Sequence, residues 1–204
     1  MSVGSPMCQA PALVTTVHDA DGRLLRFLSE SREALQAYAA TYAFVTDHTD
    51  PGLVDALRLA GAHVEVGPTG VPGEGQRRAL LAALRAGHTD LFACDFDRWL
   101  HWHRAHPGEL ADLPRRIALD HANAWYICLG RTERALATHP VTQVLPETLT
   151  NRALSTVAGI RLDATAGAAW IRSEAAQLIL SGSTATSKAT DLEWPGLVLT
   201  VDPT

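Results

Sequence analysis

Two aspartates separated by one residue, Asp95 and Asp97, have the clearest capacity for chemistry in this chain. They follow residues 91–94, a short apolar run that predicts a buried strand. Carboxylates at positions i and i+2 beyond a strand point to the same side, and together they can bind one hard divalent cation such as Mn²⁺ or Mg²⁺. Ligands of open α/β sheets bind beyond the carboxyl ends of the strands. The pattern predicts a metal site, with a surface turn as the alternative.

Two arginines, Arg77 and Arg78, follow a segment rich in glycine and proline, residues 67–75, which predicts a long loop. They open a predicted helix over residues 76–86, and a helix N-terminus favours anions. The pair therefore predicts a diphosphate site, and a solvated basic face is the alternative. The glycine-rich segment is not a P-loop, because no Gly-Lys-Ser/Thr follows it.

A second acidic pair, Asp191 and Glu193, lies near the end of the chain. It stands between a Ser/Thr-rich stretch, residues 181–190, which predicts a mobile loop, and a predicted strand over residues 194–201. This is a suitable place for a general base that accepts a proton from a hydroxyl. Two exposed loop acids are the alternative.

The elements that must position these side chains alternate between short apolar runs and longer segments with helical spacing. This rhythm predicts an α/β domain with a mainly parallel central sheet and crossover helices. Strands are predicted at residues 12–17, 42–46, 63–66, 91–94, 124–129 and 194–201. Helices are predicted at residues 31–42, 51–60, 76–86, 98–106, 109–116 and 168–181.

Composition limits the classes of partner. The 204 residues carry 17 basic and 22 acidic side chains, a net charge of −5, so there is no general attraction to nucleic acid or to an anionic membrane. The three cysteines, Cys8, Cys94 and Cys128, are too scattered to predict a disulfide framework or a zinc site. No stretch approaches the ~20 apolar residues of a membrane helix, and no signal peptide is recognised, so a cytoplasmic location is expected.

The order of these pieces resembles the nucleotide-sugar glycosyltransferases of the GT-A fold, particularly the family-2 type. The stretches that carry the resemblance are residues 12–17, 44–50, 76–87 and 91–97, followed by Trp170-Ile-Arg-Ser173 and Asp191-Leu-Glu-Trp194. It implies a Rossmann-like three-layer sandwich over residues 1–204. Residues 12–97 would form the nucleotide-binding half and residues 98–204 the acceptor-side half.

The same resemblance implies roles for the residues. Asp95 and Asp97 would hold Mn²⁺ or Mg²⁺ on the diphosphate of a UDP- or GDP-type donor, and Asp191 or Glu193 would deprotonate an unknown acceptor. Asp47 would read the base, since a carboxylate accepts the imide N–H of uracil. The alternative role for Asp47 is to cap the next helix, which Asp50, directly before Pro51, fits better. We expect Asp191 and Glu193 to face the Asp95 site across one cleft.

Two other functions are compatible with the sequence. Residues 92–97 also resemble the aspartate-nucleophile motif of haloacid-dehalogenase phosphatases, although 94 residues precede Asp95 and Trp99 stands where that family has Thr or Val. A non-catalytic GT-A-like protein that binds a nucleotide sugar is the third possibility, because the chain is short for a transferase.

Overall fold

The structure, a computed structural model, describes residues 10–201 and contains a six-stranded sheet with helices on both faces. The strands are β1 (Ala12–Val17), β2 (Ala40–Thr46), β3 (His63–Gly67), β4 (Asp90–Cys94), β5 (Tyr126–Cys128) and β6 (Ala168–Arg172). The helices are α1 (Arg23–Ser31), α2 (Pro51–Leu59), α3 (Pro72–Arg85), α4 (Phe96–Ala105), α5 (Pro107–Asp120), α6 (Glu133–Leu136), α7 (Val141–Ala158), α8 (Ser173–Gly182) and α9 (Thr190–Leu199). Short 3₁₀ turns cover Arg32–Ala37 and Ala164–Ala166.

The sheet is mainly parallel, as the sequence predicts. Its order is β3-β2-β1-β4-β6-β5. The first four strands are parallel, and β6 runs antiparallel to both β4 and β5. The carboxyl ends of β1, β2 and β4 therefore lie at the same end of the sheet. β4 is an interior strand, and Asp95 follows it at that end.

Alternating side chains of the strands feed two hydrophobic cores, one on each face of the sheet. In β1, Leu13 and Val17 enter one core, whereas Ala12 and Val14 enter the other. Helices α1, α2, α4 and α5 close the first core, and α3, α8 and α9 close the second. The three-layer sandwich is confirmed.

The helix predicted over residues 31–42 is only partly confirmed, because residues 32–37 form a 3₁₀ helix and the α-helix lies earlier in the chain. Helix α1 begins at Arg23, directly after Gly22, whose φ of 68° suits glycine. From Tyr38 onward the backbone is extended. The reason is that the Ala39 N–H donates to the carbonyl of Pro11 and Ala40 pairs with Ala12 at the start of β2. Pairing with β1 outweighs the helical spacing of the apolar residues.

Two predictions in the second half are wrong. The first five residues of the predicted helix 168–181 form β6, in which Trp170 pairs with Phe92 of β4, and α8 begins only at Ser173. Residues 194–201, predicted as a strand, belong to α9, where Trp194 and Val198 bury one helical face in the second core. Both segments are rich in apolar residues, and the periodicity of a short apolar run does not separate a strand from a helix.

The predicted helix 76–86 is present as α3, but it begins earlier, at Pro72, inside the predicted loop 67–75. Among the later helices, α6 and α7 occupy segments for which the sequence predicts none. Helix α7 is eighteen residues long and has no buried residue, so it lacks the apolar stripe by which sequence reasoning recognises a helix. Within residues 10–201, no helix is both long and apolar enough to cross a membrane. Cys8 lies outside the described residues.

Candidate functional site

Two neighbouring clefts open at the carboxyl ends of β1 and β4 and share two residues, Thr16 and Asp95. The larger cleft has a volume of about 330 Å³ and the smaller about 50 Å³. The larger is lined by Val17, His18, Leu24, Phe44, Thr46, Thr69, Asp97, Lys188 and residues 70–72, among others. The smaller is lined by Gln76, Tyr126, Gly167, Thr190, Asp191 and Trp194, among others.

Asp95 is positioned by hydrogen bonds to its backbone and to both of its carboxylate oxygens. Its backbone N–H donates to the carbonyl of Gly167 (3.0 Å). Its carboxylate accepts from the Thr16 hydroxyl at Oδ1 (3.1 Å) and from Lys188 Nζ at Oδ2 (3.0 Å). Gly167 has φ 65°, and a Cβ there would lie 3.0 Å from Asp95 Oδ2, so the close approach requires glycine. The carboxylate is therefore aimed at the boundary between the clefts.

Asp97 lies in the first turn of α4 and lines the larger cleft beside Asp95. Its Oδ1 accepts from the backbone N–H of Arg98 (2.8 Å), and the residue is exposed. Within residues 10–201, no group of three or more His, Cys, Asp or Glu side chains could hold a metal by itself. One or two carboxylates completed by substrate phosphates are the usual ligands of Mg²⁺, and Asp95 with Asp97 fits this donor set.

Asp191 lies in the first turn of α9 and lines the smaller cleft together with Asp95. Burial raises the pKa of its carboxyl to about 6. Lys188 opposes this shift, whereas the negative charges of Asp95 and Glu147 add to it. A carboxylate with a pKa near neutrality is suited to accept a proton.

Glu193, two residues further along α9, is turned toward the segment that joins α8 to α9, residues 183–189, which we call the strap. Its carboxylate accepts from the Ser183 hydroxyl and from the backbone N–H groups of Thr184 (2.8 Å) and Ala185 (3.1 Å). Burial would raise the pKa of Glu193, but these hydrogen bonds outweigh it and lower the pKa. Of the acidic pair, only Asp191 is placed beside Asp95, so the expectation that both face one cleft holds for one residue.

The strap packs against the first turns of α3. The Gly73 N–H donates to the carbonyl of Thr186 (3.0 Å), and the Thr190 hydroxyl at the end of the strap donates to Gln76. Arg77 donates to the Ser183 hydroxyl (3.0 Å) and to the Ala185 carbonyl. Although the sequence predicts a mobile loop here, the structure anchors it.

Both arginines predicted to bind a diphosphate have protein partners. Arg77 anchors the strap, and Arg78 pairs with Glu65 (2.8 Å) and Glu74. Within the described chain, neither is among the residues that line the two clefts. Their diphosphate role stays a prediction, whereas Lys188 is a cation that does line the larger cleft.

Asp47 is exposed and is hydrogen-bonded to one residue of the larger cleft. Its Oδ1 accepts from the backbone N–H (3.0 Å) and the hydroxyl (2.8 Å) of Thr69, which lines that cleft. The hydrogen bond from the Thr69 hydroxyl is the main reason that the pKa of Asp47 is lowered. Asp50 instead caps α2 through the N–H of Leu53 (3.2 Å), so the capping alternative applies to Asp50 and not to Asp47.

Comparison with known proteins adds one finding to this geometry. No protein-family model and no curated protein sequence matches the chain. A solved structure does match: glucosyl-3-phosphoglycerate synthase from Mycobacterium tuberculosis in complex with uridine diphosphate, with a TM-score of 0.59 and 15% identity, over 95% of this chain and 67% of that one. The chain has the GT-A fold.

At this level of identity the similarity concerns the GT-A fold alone, and the site rests on the residues described above. Sequence reasoning missed two of them. His18, whose Nδ1 is 2.7 Å from the Thr46 hydroxyl, lines the larger cleft directly beyond β1. Lys188 reaches Asp95 from 93 residues away, and its one signal in the sequence is that it is the sole lysine among 17 basic residues.

Proposed function

We propose that this GT-A chain binds a nucleoside-diphosphate sugar in the larger cleft and transfers the sugar to an acceptor at the smaller one. The observation that carries the proposal is that Asp95 lines both clefts. Asp97 lines the larger cleft with it, and Asp191 lines the smaller one. Asp95 therefore lies between Asp97, an acid on the proposed donor side, and Asp191, the proposed base. That arrangement suits a reaction in which the leaving group and the acceptor lie on opposite sides of a sugar ring.

The donor is proposed to be of the UDP or GDP type. The larger cleft offers polar groups from His18, Thr46 and Thr69 and an apolar surface from Phe44 and Leu24, which suits a base and a ribose. Among the described residues, Asp47 Oδ1 is used by Thr69, and its Oδ2 is left to accept a uracil imide N–H. The UDP in the solved structure with the same fold supports this part of the proposal.

A divalent cation is proposed at Asp95 and Asp97. These two carboxylates would hold Mn²⁺ or Mg²⁺ together with phosphate oxygens of the donor. When bound, the cation would neutralise charge on the leaving diphosphate. Two carboxylates in the same cleft would otherwise repel that diphosphate.

Asp191 is the proposed base. Its carboxylate accepts the proton of the acceptor hydroxyl while the hydroxyl oxygen bonds to the anomeric carbon. The bond from that carbon to the diphosphate oxygen breaks, and its electron pair leaves with the diphosphate. Glu193 holds the strap and takes no part in this proton transfer.

Calorimetry tests the proposal, with UDP and GDP titrated into the protein with and without Mn²⁺. We expect at least one nucleotide to bind, and Mn²⁺ to raise its affinity in the wild type. Asp97→Ala removes most of that gain while the far-ultraviolet circular dichroism spectrum stays unchanged. If nucleotide affinity in excess EDTA equals that with Mn²⁺, the proposed metal site is wrong. If neither UDP nor GDP binds, the proposed function is wrong.

A transfer assay with a panel of acceptors then separates an enzyme from a binding protein. If donor is bound but neither hydrolysed nor transferred, the non-catalytic alternative is correct. The placement of Asp191 beside Asp95 favours catalysis.

A further inference from the structure

The strap carries one side chain that reaches the centre of the site. Lys188 Nζ donates to Asp95 Oδ2 at 3.0 Å, and Lys188 lines the larger cleft together with Asp95 and Asp97. An ammonium group therefore occupies one face of the carboxylate that, under the proposed function, binds a divalent cation. Two positive charges cannot share the same carboxylate oxygen at contact distance without strong repulsion.

The backbone of the strap is held independently of this contact. Glu193 accepts from the backbone at Thr184 and Ala185, Arg77 donates to Ser183, and Gly73 donates to Thr186. Removing the contact between Lys188 and Asp95 therefore leaves the strap anchored at its first four residues. The ammonium can move while the segment that carries it stays in place.

The contact itself is weak enough to exchange. The Lys188 side chain is 65% exposed, and an ion pair with so exposed a partner contributes little to stability. Lysine also has three donors on a flexible four-carbon stem, so it can turn from one oxygen to another. An entering diphosphate would offer it better acceptors than the single Asp95 oxygen.

We propose that Lys188 competes with the divalent cation for Asp95 and, when the metal and nucleotide enter, transfers its hydrogen bonds to the diphosphate. This inference rests on the proposed function and assigns the diphosphate contact to the strap. Lys188 thus neutralises Asp95 in the empty site and the leaving group in the filled one. In the filled site the divalent cation would take the place of Lys188 at Asp95.

Mn²⁺ alone, without nucleotide, tests the competition. We expect Lys188→Met to bind Mn²⁺ about fivefold more tightly than the wild type. This factor corresponds to the free energy of an exposed ion pair, which the metal no longer has to break. Lys188→Arg keeps the charge and should bind Mn²⁺ as the wild type does. Arg98→Met is the control for general charge, because Arg98 lies near Asp191 and Cys94 and, in the described part of the chain, makes no hydrogen bond or ion pair with Asp95. If Lys188→Met binds Mn²⁺ no more tightly than Arg98→Met, the competition is overturned.

UDP and uridine, each titrated with saturating Mn²⁺, test the second half. Loss of a charge-assisted hydrogen bond should weaken UDP binding by Lys188→Met about tenfold and leave uridine binding unchanged. Equal UDP affinity in the wild type and Lys188→Met would overturn the diphosphate contact. If the wild type bound no nucleotide, the proposed function would fail, whereas the Mn²⁺ experiment would still decide the competition.

Discussion

Asp191 and Glu193 are two residues apart on one helix, yet their carboxylates have opposite environments. Burial raises the pKa of Asp191, and hydrogen bonds from the strap lower the pKa of Glu193. We expect Asp191→Asn to abolish sugar transfer while donor affinity stays unchanged. Glu193→Gln should keep transfer measurable and weaken the anchoring of the strap. Transfer rates and donor affinities of the two variants check this, and normal turnover by Asp191→Asn would show that another group is the base.

The raised pKa of Asp191 also predicts the pH dependence of the reaction. A base is active when deprotonated, so kcat/KM should rise with pH and level off above an apparent pKa of about 6. A rate profile between pH 4.5 and 8 measures this value. A profile that is flat across this range would indicate that Asp191 does not accept the proton.

The same shift affects stability, with a definite sign. The folded-state pKa of Asp191 lies above the ordinary value of 3.8 for this side chain, so the unfolded state loses its proton first as pH rises. The free energy of unfolding should therefore fall between about pH 4 and pH 6, and at pH 7 Asp191→Asn should be more stable than the wild type by up to about 3 kcal/mol. Glu193→Gln is the matched control, because a lowered pKa makes a stabilising contribution that is present at neutral pH and lost as pH falls. Urea unfolding at pH 4.5 and 7 compares the two variants.

At the residue scale, the sequence predicts the positions of the acids better than those of the cations. The strand before Asp95 and Asp97 is predicted correctly, which places the two residues at the carboxyl end of the parallel strands, and their metal role stays a prediction. Arg77 and Arg78 lie on α3 as expected, but their long side chains reach the strap and two glutamates, and no local pattern shows that. Lys188 acts across 93 residues, so only the folded chain brings it to Asp95.

At the element scale, close packing between α3 and the strap depends on Gly73. A Cβ there would lie 2.5 Å from the carbonyl oxygen of Ala185 and 2.9 Å from that of Ser187, so backbone must move. We expect Gly73→Ala to shift the strap and weaken nucleotide binding. Gly108 is a close control, since it also follows the first proline of a helix, α5, and a Cβ there would meet nothing within 4 Å.

The comparison of these two alanine variants has clear outcomes. Gly108→Ala should leave nucleotide affinity unchanged and stabilise the protein slightly, because alanine loses less backbone entropy on folding than glycine does. Gly73→Ala should lower the affinity. Equal affinities for the two variants would show that the position of the strap does not affect binding.

Elements with one clear periodicity are the ones that the sequence predicts well. β1 is predicted with its exact bounds, and β4 within one residue, because both are apolar runs followed by polar turns. β6 and α8 follow each other without a loop, and the end of β6 is set by pairing with β4, which is remote in sequence. Helix α7 has no apolar face toward the core, so its formation depends on polar contacts that no local pattern shows.

At the scale of the whole molecule, a polar cluster joins α7 to the segment before β6. Arg131, whose side chain is 5% exposed, pairs with Asp163 (2.8 Å) and with Glu147 of α7 (2.7 Å). Asn151, also on α7, donates to Asp163 (2.6 Å). Because no residue of α7 is buried, polar contacts of this kind hold the helix against the segment before β6.

Arg131→Met should destabilise the protein by about 3 kcal/mol, because it leaves Asp163 and Glu147 without their partner. Arg134→Met, an exposed site on α6, should change stability by less than about 0.5 kcal/mol. Denaturant unfolding measures both values, and hydrogen exchange should show faster exchange in α7 for Arg131→Met. Similar losses in the two variants would show that the cluster does not attach the helix.

The hydrogen bond between Trp194 and Ser183 gives the site an optical reporter. The indole N–H of the buried Trp194 donates to the Ser183 hydroxyl (3.1 Å). The same hydroxyl accepts a hydrogen bond from Arg77 and donates one to Glu193. Indole emission responds to its hydrogen-bonding partner, so a ligand that displaces the first residues of the strap should change the fluorescence of Trp194. A ligand that moves only the Lys188 side chain should leave it unchanged. Spectra of the wild type and of Trp194→Phe, recorded during a nucleotide titration, would therefore distinguish motion of a side chain from motion of the backbone.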